Sequence, residues 1–211
     1  MNITREQLKL YAVTDRSWLG SETLYEQVEK ALKGGVTLVQ LREKNLDEAS
    51  FEKEGLELLE LCHRYNVPLI INDNVKLAKK INADGVHIGQ SDMEMKNARV
   101  MLGADKIIGV TAKTVEQAKA AEAAGADYIG SGAVFGTSTK SDAKPMELSL
   151  FQEICENVNI PVVAIGGINA ENVLALKGTK MAGVAVVSGI FACKDIEKGT
   201  RNLLEKVERI I

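Results

Sequence analysis

The chain has 211 residues, of which 45% are hydrophobic and 26% are charged, and these proportions exclude collagen-like and intrinsically disordered proteins. Twenty-six Lys and Arg residues against 29 Asp and Glu residues give a net charge of −3, so the composition does not indicate nucleic-acid binding. At about 150 residues per domain, we expect a single domain that spans residues 1–211.

The pattern of hydrophobicity carries no membrane or secretion signal. No apolar run approaches the ~20 residues of a membrane-spanning helix, and the polar N-terminus does not resemble a secretory signal. The three cysteines, Cys62, Cys155 and Cys193, are widely spaced, which predicts neither a disulfide framework nor a zinc site. We therefore expect a cytoplasmic protein with reduced thiols and with no nucleic-acid or membrane partner.

Short apolar runs alternate with amphipathic stretches along the whole chain. The runs, which we predict to be strands, cover residues 8–13, 37–41, 68–71, 85–88, 106–110, 128–129, 161–165 and 183–187. Apolar residues at spacings of three and four predict helices over residues 24–32, 51–65, 92–102, 115–124, 148–158, 170–176 and 196–211. Ser21 or Thr23 is expected to cap the first of these helices, and Gly34 and Gly35 to end it.

This alternation predicts an α/β fold. Strands that are apolar throughout are typical of a parallel sheet that is buried on both faces. Eight units of about 26 residues fit a small, single-domain (β/α)8 TIM barrel. An open doubly wound sheet is the alternative, but eight similar units favour closure because a closed barrel leaves no sheet edge exposed.

In such a barrel the active site lies at the carboxyl ends of the strands. The second predicted strand runs into Gln40, Leu41, Arg42, Glu43 and Lys44. Because strand side chains alternate, Gln40, Arg42 and Lys44 share one side and the other two share the opposite side. Two cations beside an amide resemble an anion-binding ledge, although a solvated loop explains them equally well.

Carboxylates follow the third and fourth predicted strands. Asn72 and Asp73 end one strand and Asp92 follows the next, at positions that are also common for turn formers and helix caps. Neighbouring strand ends would bring the two carboxylates together, and carboxylates with phosphate oxygens and water are typical of a Mg²⁺ site. We expect His87 to be packed near its strand end rather than to bind a metal.

The later strand ends favour phosphate binding. Thr111 supplies a hydroxyl, and residues 132–145 form a long irregular stretch with Lys140, which is typical of a binding loop. Glycine-rich turns at Gly166-Gly167 and Ser188-Gly189 follow the seventh and eighth strands, where backbone N–H groups of barrels recurrently bind phosphate. The cationic and the glycine-rich sides together indicate two phosphorylated ligands, with no general base in evidence.

The whole set of motifs resembles the thiamine-phosphate synthase family. The strings that carry the resemblance lie at residues 31–35, 40–44, 71–73, 83–90, 125–128, 137–140 and 164–168. The resemblance implies an alkyl transferase of thiamine biosynthesis. It would condense 4-amino-2-methyl-5-(diphosphooxymethyl)pyrimidine with a thiazole phosphate, carboxylated or not, to give thiamine monophosphate and pyrophosphate.

The resemblance also implies the site residues. The pyrimidine pyrophosphate would be held by Gln40, Leu41, Arg42, Glu43, Lys44, Asn72, Thr111 and Lys140, of which Arg42, Lys140 and Thr111 would be catalytic. The thiazole phosphate would be held by Thr137, Ser138, Thr139, Gly167, Val187 and Ser188, and one Mg²⁺ ion by Asp73 and Asp92. Two positions depart from the family pattern: Thr111 stands where Ser is frequent, and Gly189, where Ala is frequent, is expected to loosen the last loop.

Three other interpretations remain open. A related barrel, a thiazole tautomerase also described as a regulator, would handle only the thiazole side and would not need the cationic and carboxylate set. A non-catalytic phosphate-binding barrel and another phosphate-binding barrel enzyme are the remaining two. The protein is a possible homo-oligomer.

Overall fold

The computed structural model of the protein describes residues 3–89, 95–136 and 145–211. Eight parallel strands close into a barrel in chain order, each hydrogen-bonded to the next and β8 to β1. The strands are β1 (Leu10–Val13), β2 (Leu38–Leu41), β3 (Leu69–Asn72), β4 (Gly85–Ile88), β5 (Ile107–Thr111), β6 (Tyr128–Gly132), β7 (Val162–Ile165) and β8 (Gly183–Val186). The predicted single-domain (β/α)8 barrel is therefore confirmed.

The helices pack around this barrel and connect its strands. They are α1 (Arg5–Leu8), α2 (Leu24–Lys33), α3 (Glu48–Arg64), α4 (Val75–Lys80), α5 (Met95–Leu102), α6 (Val115–Ala123), α7 (Leu148–Asn157), α8 (Ser188–Phe191) and α9 (Ile196–Val207), with 3₁₀ turns at Arg16–Trp18 and Val173–Leu176. Among the described residues, no helix is both long enough and apolar enough to cross a lipid bilayer.

Local sequence signals account for the ends of α2. The Thr23 hydroxyl accepts a hydrogen bond from the Glu26 backbone N–H, and the Glu26 carboxylate accepts one from the Thr23 backbone in return. This capping box satisfies N–H groups that the first helical turn leaves without partners. The helix ends at Gly34, and Gly35 follows with φ of 100°, a conformation that glycine adopts readily.

Several elements differ from the predicted ones: β6 extends to Gly132, α3 begins at Glu48, α9 ends at Val207, and α4 and α8 were not predicted. Two further differences have a clear local cause. The first strand begins at Leu10 rather than at residue 8, because Leu8 belongs to α1 and is buried at the amino end of the barrel. The helix predicted over residues 170–176 is only a 3₁₀ turn. The Asn169 side chain accepts from the backbone of Glu171, and the Asn172 side chain accepts from the Asn169 backbone, so local bonds hold this segment in a turn.

The two ends of the described chain lie at the amino ends of the strands. The Arg5 guanidinium of α1 donates to the carbonyl oxygens of Lys180 and Met181, which precede β8. The ammonium of Lys9, at the end of α1, lies 3.5 Å from the carboxylate of Glu208, at the end of α9. The first and last helices therefore meet on the face opposite the predicted site.

Two aspartates also stabilise this amino face. The Asp84 carboxylate, just before β4, accepts a hydrogen bond of 2.8 Å from the backbone N–H of Leu69. The Asp127 carboxylate, just before β6, accepts one of 2.8 Å from the buried N–H of Ile108 and pairs with Arg99 at 2.7 Å. Asp84 and Asp127, which lie in the strings 83–90 and 125–128, therefore serve the stability of the barrel rather than its site.

Candidate active site

The side chains of β2 alternate as predicted. Gln40 is buried and bonds to Tyr11 in the barrel interior, whereas Leu41 is buried against the surrounding helices. Arg42 follows on the same side as Gln40, at the carboxyl end of the strand. Lys44 is exposed in the loop beyond it.

Contacts with the loop after β1 hold Arg42 in place. Its backbone N–H donates to the Thr14 hydroxyl at 2.9 Å, and its guanidinium lies 3.2 Å from the Asp15 carboxylate. Both charged side chains are mostly buried, with 12% and 13% of their surface exposed. The guanidinium is therefore oriented before any ligand binds.

Glu43 points away from the barrel mouth, which is the end of the barrel where the strands have their carboxyl ends. Its carboxylate pairs with Arg16 at 2.8 Å, and Arg16 also pairs with Glu54 of α3 at 2.6 Å. Burial raises the pKa of Glu54, an effect that the Arg16 guanidinium opposes. The Glu43 side chain thus joins the loops after β1 and β2, and only the Glu43 backbone remains for the ligand contact expected from sequence.

Asn72 and Asp73 lie at the carboxyl end of β3. The Asn72 amide donates to the Asp73 carboxylate at 2.6 Å, and the Asp73 backbone N–H donates to the His87 carbonyl at 2.9 Å. Asp73 has φ of 59°, a left-handed conformation that residues other than glycine seldom adopt and that concentrates at functional sites. This conformation holds the carboxylate at the mouth, beside the end of β4.

The second expected metal ligand, Asp92, lies outside the described residues. Within the parts of the chain that the structure describes, no three His, Cys, Asp or Glu side chains gather into a metal-binding group. The Mg²⁺ site therefore stays a prediction that rests on Asp73 and Asp92. The expected ligand-binding residues Thr137, Ser138, Thr139 and Lys140 also lie outside the described residues.

A line of hydrogen bonds crosses the barrel interior from β2 to β5. The Gln40 amide donates to the Tyr11 hydroxyl, which lies 2.9 Å from the Tyr128 hydroxyl. That hydroxyl lies 2.9 Å from Nδ1 of His87, whose Nε2 lies 2.9 Å from the Thr111 hydroxyl. We call these five residues the polar chain. His87 is packed at its strand end, as predicted, and Thr111 ends β5.

Neither Tyr11 nor Tyr128 was assigned a role from the sequence. Both sit within runs that read as ordinary apolar strands, and each belongs to the barrel interior. A signal was present nonetheless. Glycines at positions 109 and 130, on the inward side of β5 and β6, leave space that only a large neighbouring side chain fills.

The turns after β6, β7 and β8 meet on the other side of the mouth. Gly167 has φ of 64°, and a Cβ atom there would lie 2.5 Å from the Gly136 carbonyl oxygen. A Cβ atom at Gly189 would lie 2.3 Å from the carbonyl oxygen of Ile168, so this glycine permits close packing rather than a looser loop. The turn after β7 therefore packs against Gly189, which directly follows Val187 and Ser188 at the start of α8.

The cysteines take no part in this site. All three are free thiols. Burial raises the pKa of Cys62 and of Cys155 to about 12, and it also raises the pKa of Cys193. Thiols with such pKa values are not activated nucleophiles at neutral pH.

Together the fold and the mouth define a (β/α)8-barrel enzyme with its polar groups at the carboxyl ends of the strands. The family model described as "Thiamine monophosphate synthase" matches residues 10–190. The chain belongs to the thiamine monophosphate synthase family.

Individual relatives agree over nearly the whole length. A thiamine-phosphate synthase of Ruminiclostridium cellulolyticum is 50% identical over 93% of both chains, and one of Clostridium acetobutylicum is 49% identical over 95% of both. The solved structure of a thiamine phosphate pyrophosphorylase from Pyrococcus furiosus is 38% identical, with a TM-score of 0.91 over 98% of both chains.

Proposed function

We propose that this protein is a transferase of thiamine biosynthesis that makes thiamine monophosphate. It condenses 4-amino-2-methyl-5-(diphosphooxymethyl)pyrimidine with a thiazole phosphate and releases pyrophosphate. The observation that carries the proposal is the pre-oriented Arg42 beside the inward-facing Gln40, within a chain that is about half identical to named synthases. The amide suits an aminopyrimidine ring and the guanidinium suits its pyrophosphate.

The pyrophosphate needs several positive charges. Arg42 supplies a planar, always-charged donor that binds phosphate oxygens through two N–H groups. Lys44 and Lys140 are proposed to add two further charges from the loops after β2 and β6. Thr111, at the end of β5, is proposed to contact the same ligand.

The donors at the end of β3 fit a magnesium ion. Asp73 offers a hard carboxylate oxygen, which is the ligand type that Mg²⁺ prefers, and Asp92 is proposed to offer a second. When bound, the ion would offset negative charge on the pyrophosphate. The left-handed turn at Asp73 and its bond from Asn72 orient the first carboxylate toward this role.

The thiazole phosphate is proposed to bind opposite. The Gly166-Gly167 turn exposes backbone N–H groups where a side chain has no room, and Ser188 adds a hydroxyl at the start of α8. Thr137, Ser138 and Thr139 are proposed to complete this subsite from the loop after β6. The two subsites would hold the substrates face to face across the mouth, which supplies the benefit of orientation.

The chemistry follows from this placement. The C–O bond between the exocyclic methylene of the pyrimidine and the pyrophosphate breaks first, and its electron pair leaves with the pyrophosphate. Arg42 and Lys140 stabilise the charge that develops on this leaving group. The thiazole nitrogen then forms the new C–N bond with its lone pair, so the step needs no general base.

The direct test combines both substrates with Mg²⁺ and measures thiamine monophosphate and pyrophosphate. We expect Arg42→Ala and Lys140→Ala each to lower turnover by roughly 10²-fold or more, the usual effect of removing one preorganised charge donor. Lys53→Ala, at an exposed position of α3, is the matched control and should behave like the wild type. Near wild-type turnover in both site variants would refute the scheme, and conversion of the thiazole substrate alone would favour the tautomerase alternative.

The proposed metal site has its own test. Asp73→Asn keeps the size of the side chain and removes its charge, so we expect a higher Mg²⁺ concentration at half-maximal activity. An unchanged Mg²⁺ titration would remove Asp73 from the metal site.

A further inference from the structure

We propose that the polar chain positions the two substrate-binding side chains at its ends, Gln40 and Thr111. Tyr11, Tyr128 and His87 would then be positioning residues, which act through the side chains that they hold. This inference rests on the proposed function, because it takes Gln40 and Thr111 as contacts of the pyrimidine pyrophosphate.

The strands are built to accommodate this chain. A Cβ atom at Gly109 would lie 2.1 Å from Cζ of the Tyr128 ring, so the ring occupies the space that this glycine leaves. A Cβ atom at Gly130 would lie 3.0 Å from the His87 ring. Tyr11 meets Tyr128 edge to face, with ring centroids 6.0 Å apart and planes inclined by 77°. Both tyrosines are almost wholly buried, so their hydroxyls depend on each other and on their neighbours in the chain.

The protons of the chain can be placed in one direction. The Tyr11 hydroxyl accepts from the Gln40 amide and donates to Tyr128, which donates to Nδ1 of His87. The imidazole then carries its proton on Nε2 and donates it to the Thr111 hydroxyl. With the Gln40 amide nitrogen facing Tyr11, the reverse direction would make Tyr11 accept twice and would leave its own buried proton without an acceptor. Buried hydroxyls are costly to leave unsatisfied, which selects the first direction.

This direction sets the chemistry of both ends. One amide proton of Gln40 is committed to Tyr11, which fixes the side-chain amide and directs its other N–H and its carbonyl oxygen elsewhere. A donor beside an acceptor matches the edge of a 4-aminopyrimidine, which presents a ring nitrogen next to an amine. Thr111 accepts from His87 at the other end, so its own proton is donated in another direction, as an anionic ligand requires.

The tyrosines themselves are not acid–base groups of the reaction. Burial is the main cause that raises the pKa of both Tyr11 and Tyr128 above its ordinary value. Both therefore stay protonated at neutral pH and keep the proton on which the chain depends. Their role is to hold geometry, which predicts an effect on binding rather than on the pH profile of turnover.

The first test removes the hydroxyl beside Gln40. With Mg²⁺ present and the thiazole phosphate absent, we expect Tyr11→Phe to weaken binding of the pyrimidine pyrophosphate about 10-fold in calorimetry, as expected for one misplaced hydrogen bond. Inorganic pyrophosphate should bind with unchanged affinity, because this end of the chain faces the ring. In a Gln40→Ala background, Tyr11→Phe should cause no further loss, since contacting residues are not additive.

A second variant keeps the proposal testable if Tyr11→Phe fails to fold. Tyr128→Phe interrupts the chain at its centre, and we expect it to weaken binding of the pyrimidine pyrophosphate at least as much as Tyr11→Phe. Tyr65→Phe, outside the barrel interior, makes the same chemical change and should bind like the wild type. Wild-type binding by both chain variants, equal weakening toward the thiazole phosphate, or an undiminished loss in the Gln40→Ala background would refute the positioning role.

The proton direction has an independent readout. The chain contains only two histidines, His63 and His87, so their ring-nitrogen NMR signals are readily assigned. We expect His87 to carry its proton on Nε2, and a proton on Nδ1 would overturn the direction inferred here. Failure of the wild-type protein to make thiamine monophosphate would refute the proposed function instead, so the two failures are distinguishable.

Discussion

Asp127 offers a quantitative test of how the barrel is held at its amino face. The residue is 7% exposed, and one carboxylate oxygen accepts from the Ile108 N–H and from Arg99. Asp127→Ala removes both interactions at once. Because Asp127 precedes β6 at the end that is remote from the mouth, the substitution should destabilise the fold and leave the chemistry intact.

The magnitude follows from the partners that remain. The Ile108 N–H would be buried without an acceptor, which costs about 1–3 kcal/mol. Arg99 keeps its bonds to the carbonyl oxygens of Lys106 and Gly125, so losing its charged partner adds only about 1–2 kcal/mol. We therefore expect Asp127→Ala to lower the free energy of unfolding by about 3 kcal/mol, which corresponds to about 6–12 °C in Tm for a chain of this size.

Urea unfolding and thermal melting measure this loss, and turnover per folded molecule is measured alongside. Asp127→Asn keeps an acceptor for Ile108 and should lie between Asp127→Ala and the wild type. Asp105→Ala, an exposed aspartate just before β5, is the control and should melt like the wild type. A melting temperature of Asp127→Ala within about 1 °C of the wild type, or a loss of turnover without a loss of stability, would refute this structural role of Asp127.

Three further predictions follow from the same structure. Gly167→Ala should abolish thiazole phosphate binding, because a methyl group there meets backbone carbonyls. Gly178→Ala is the control, since Gly178 also has a positive φ, of 89°, but has open space around it, and this variant should lose stability alone. Calorimetry with each substrate separates the two outcomes. Cys62 should resist alkylation at pH 8 until the protein unfolds. A pKa of about 12 leaves about one Cys62 thiol in 10⁴ ionised at that pH. Rapid labelling of Cys62 in the native protein would contradict its burial. Asp47 caps the amino end of α3, and the Ser50 hydroxyl and N–H lower the pKa of its carboxyl group. The contribution of Asp47 to stability is therefore present above the unfolded pKa and is lost as the pH falls through the lower folded value. Asp47→Ala should flatten the acid side of the stability–pH curve, and an unchanged curve would exclude a stabilising role for this N-cap.

The sequence determined the architecture because the relevant signal is local and repeated. Eight apolar runs with helical patterns between them leave few topologies, and the alternation of side chains along β2 correctly separated Gln40 and Arg42 from Leu41. The start of β1 was misplaced because an apolar residue such as Leu8 fits equally well at a strand start and beneath a barrel. Periodicity does not distinguish these positions.

The contacts that shape the site were harder to predict because they join distant parts of the chain. Tyr11 and Tyr128 are 117 residues apart, and nothing in either strand specifies that their hydroxyls meet. The pairing of Arg42 with Asp15 likewise depends on how two loops pack. The residues that carry charge could be predicted from the sequence, but the neutral side chains that orient them could not, because orientation is a property of the closed barrel.

The meeting of α1 and α9 has a practical consequence for anyone who attaches this protein to a surface or to another domain. Lys9 and Glu208 lie side by side on the face opposite the mouth, so a tether attached close to either residue is remote from the substrates. The same proximity makes the barrel a candidate for circular permutation, because a short linker can connect the segments around Lys9 and Glu208 and the chain can be opened in an exposed connection elsewhere.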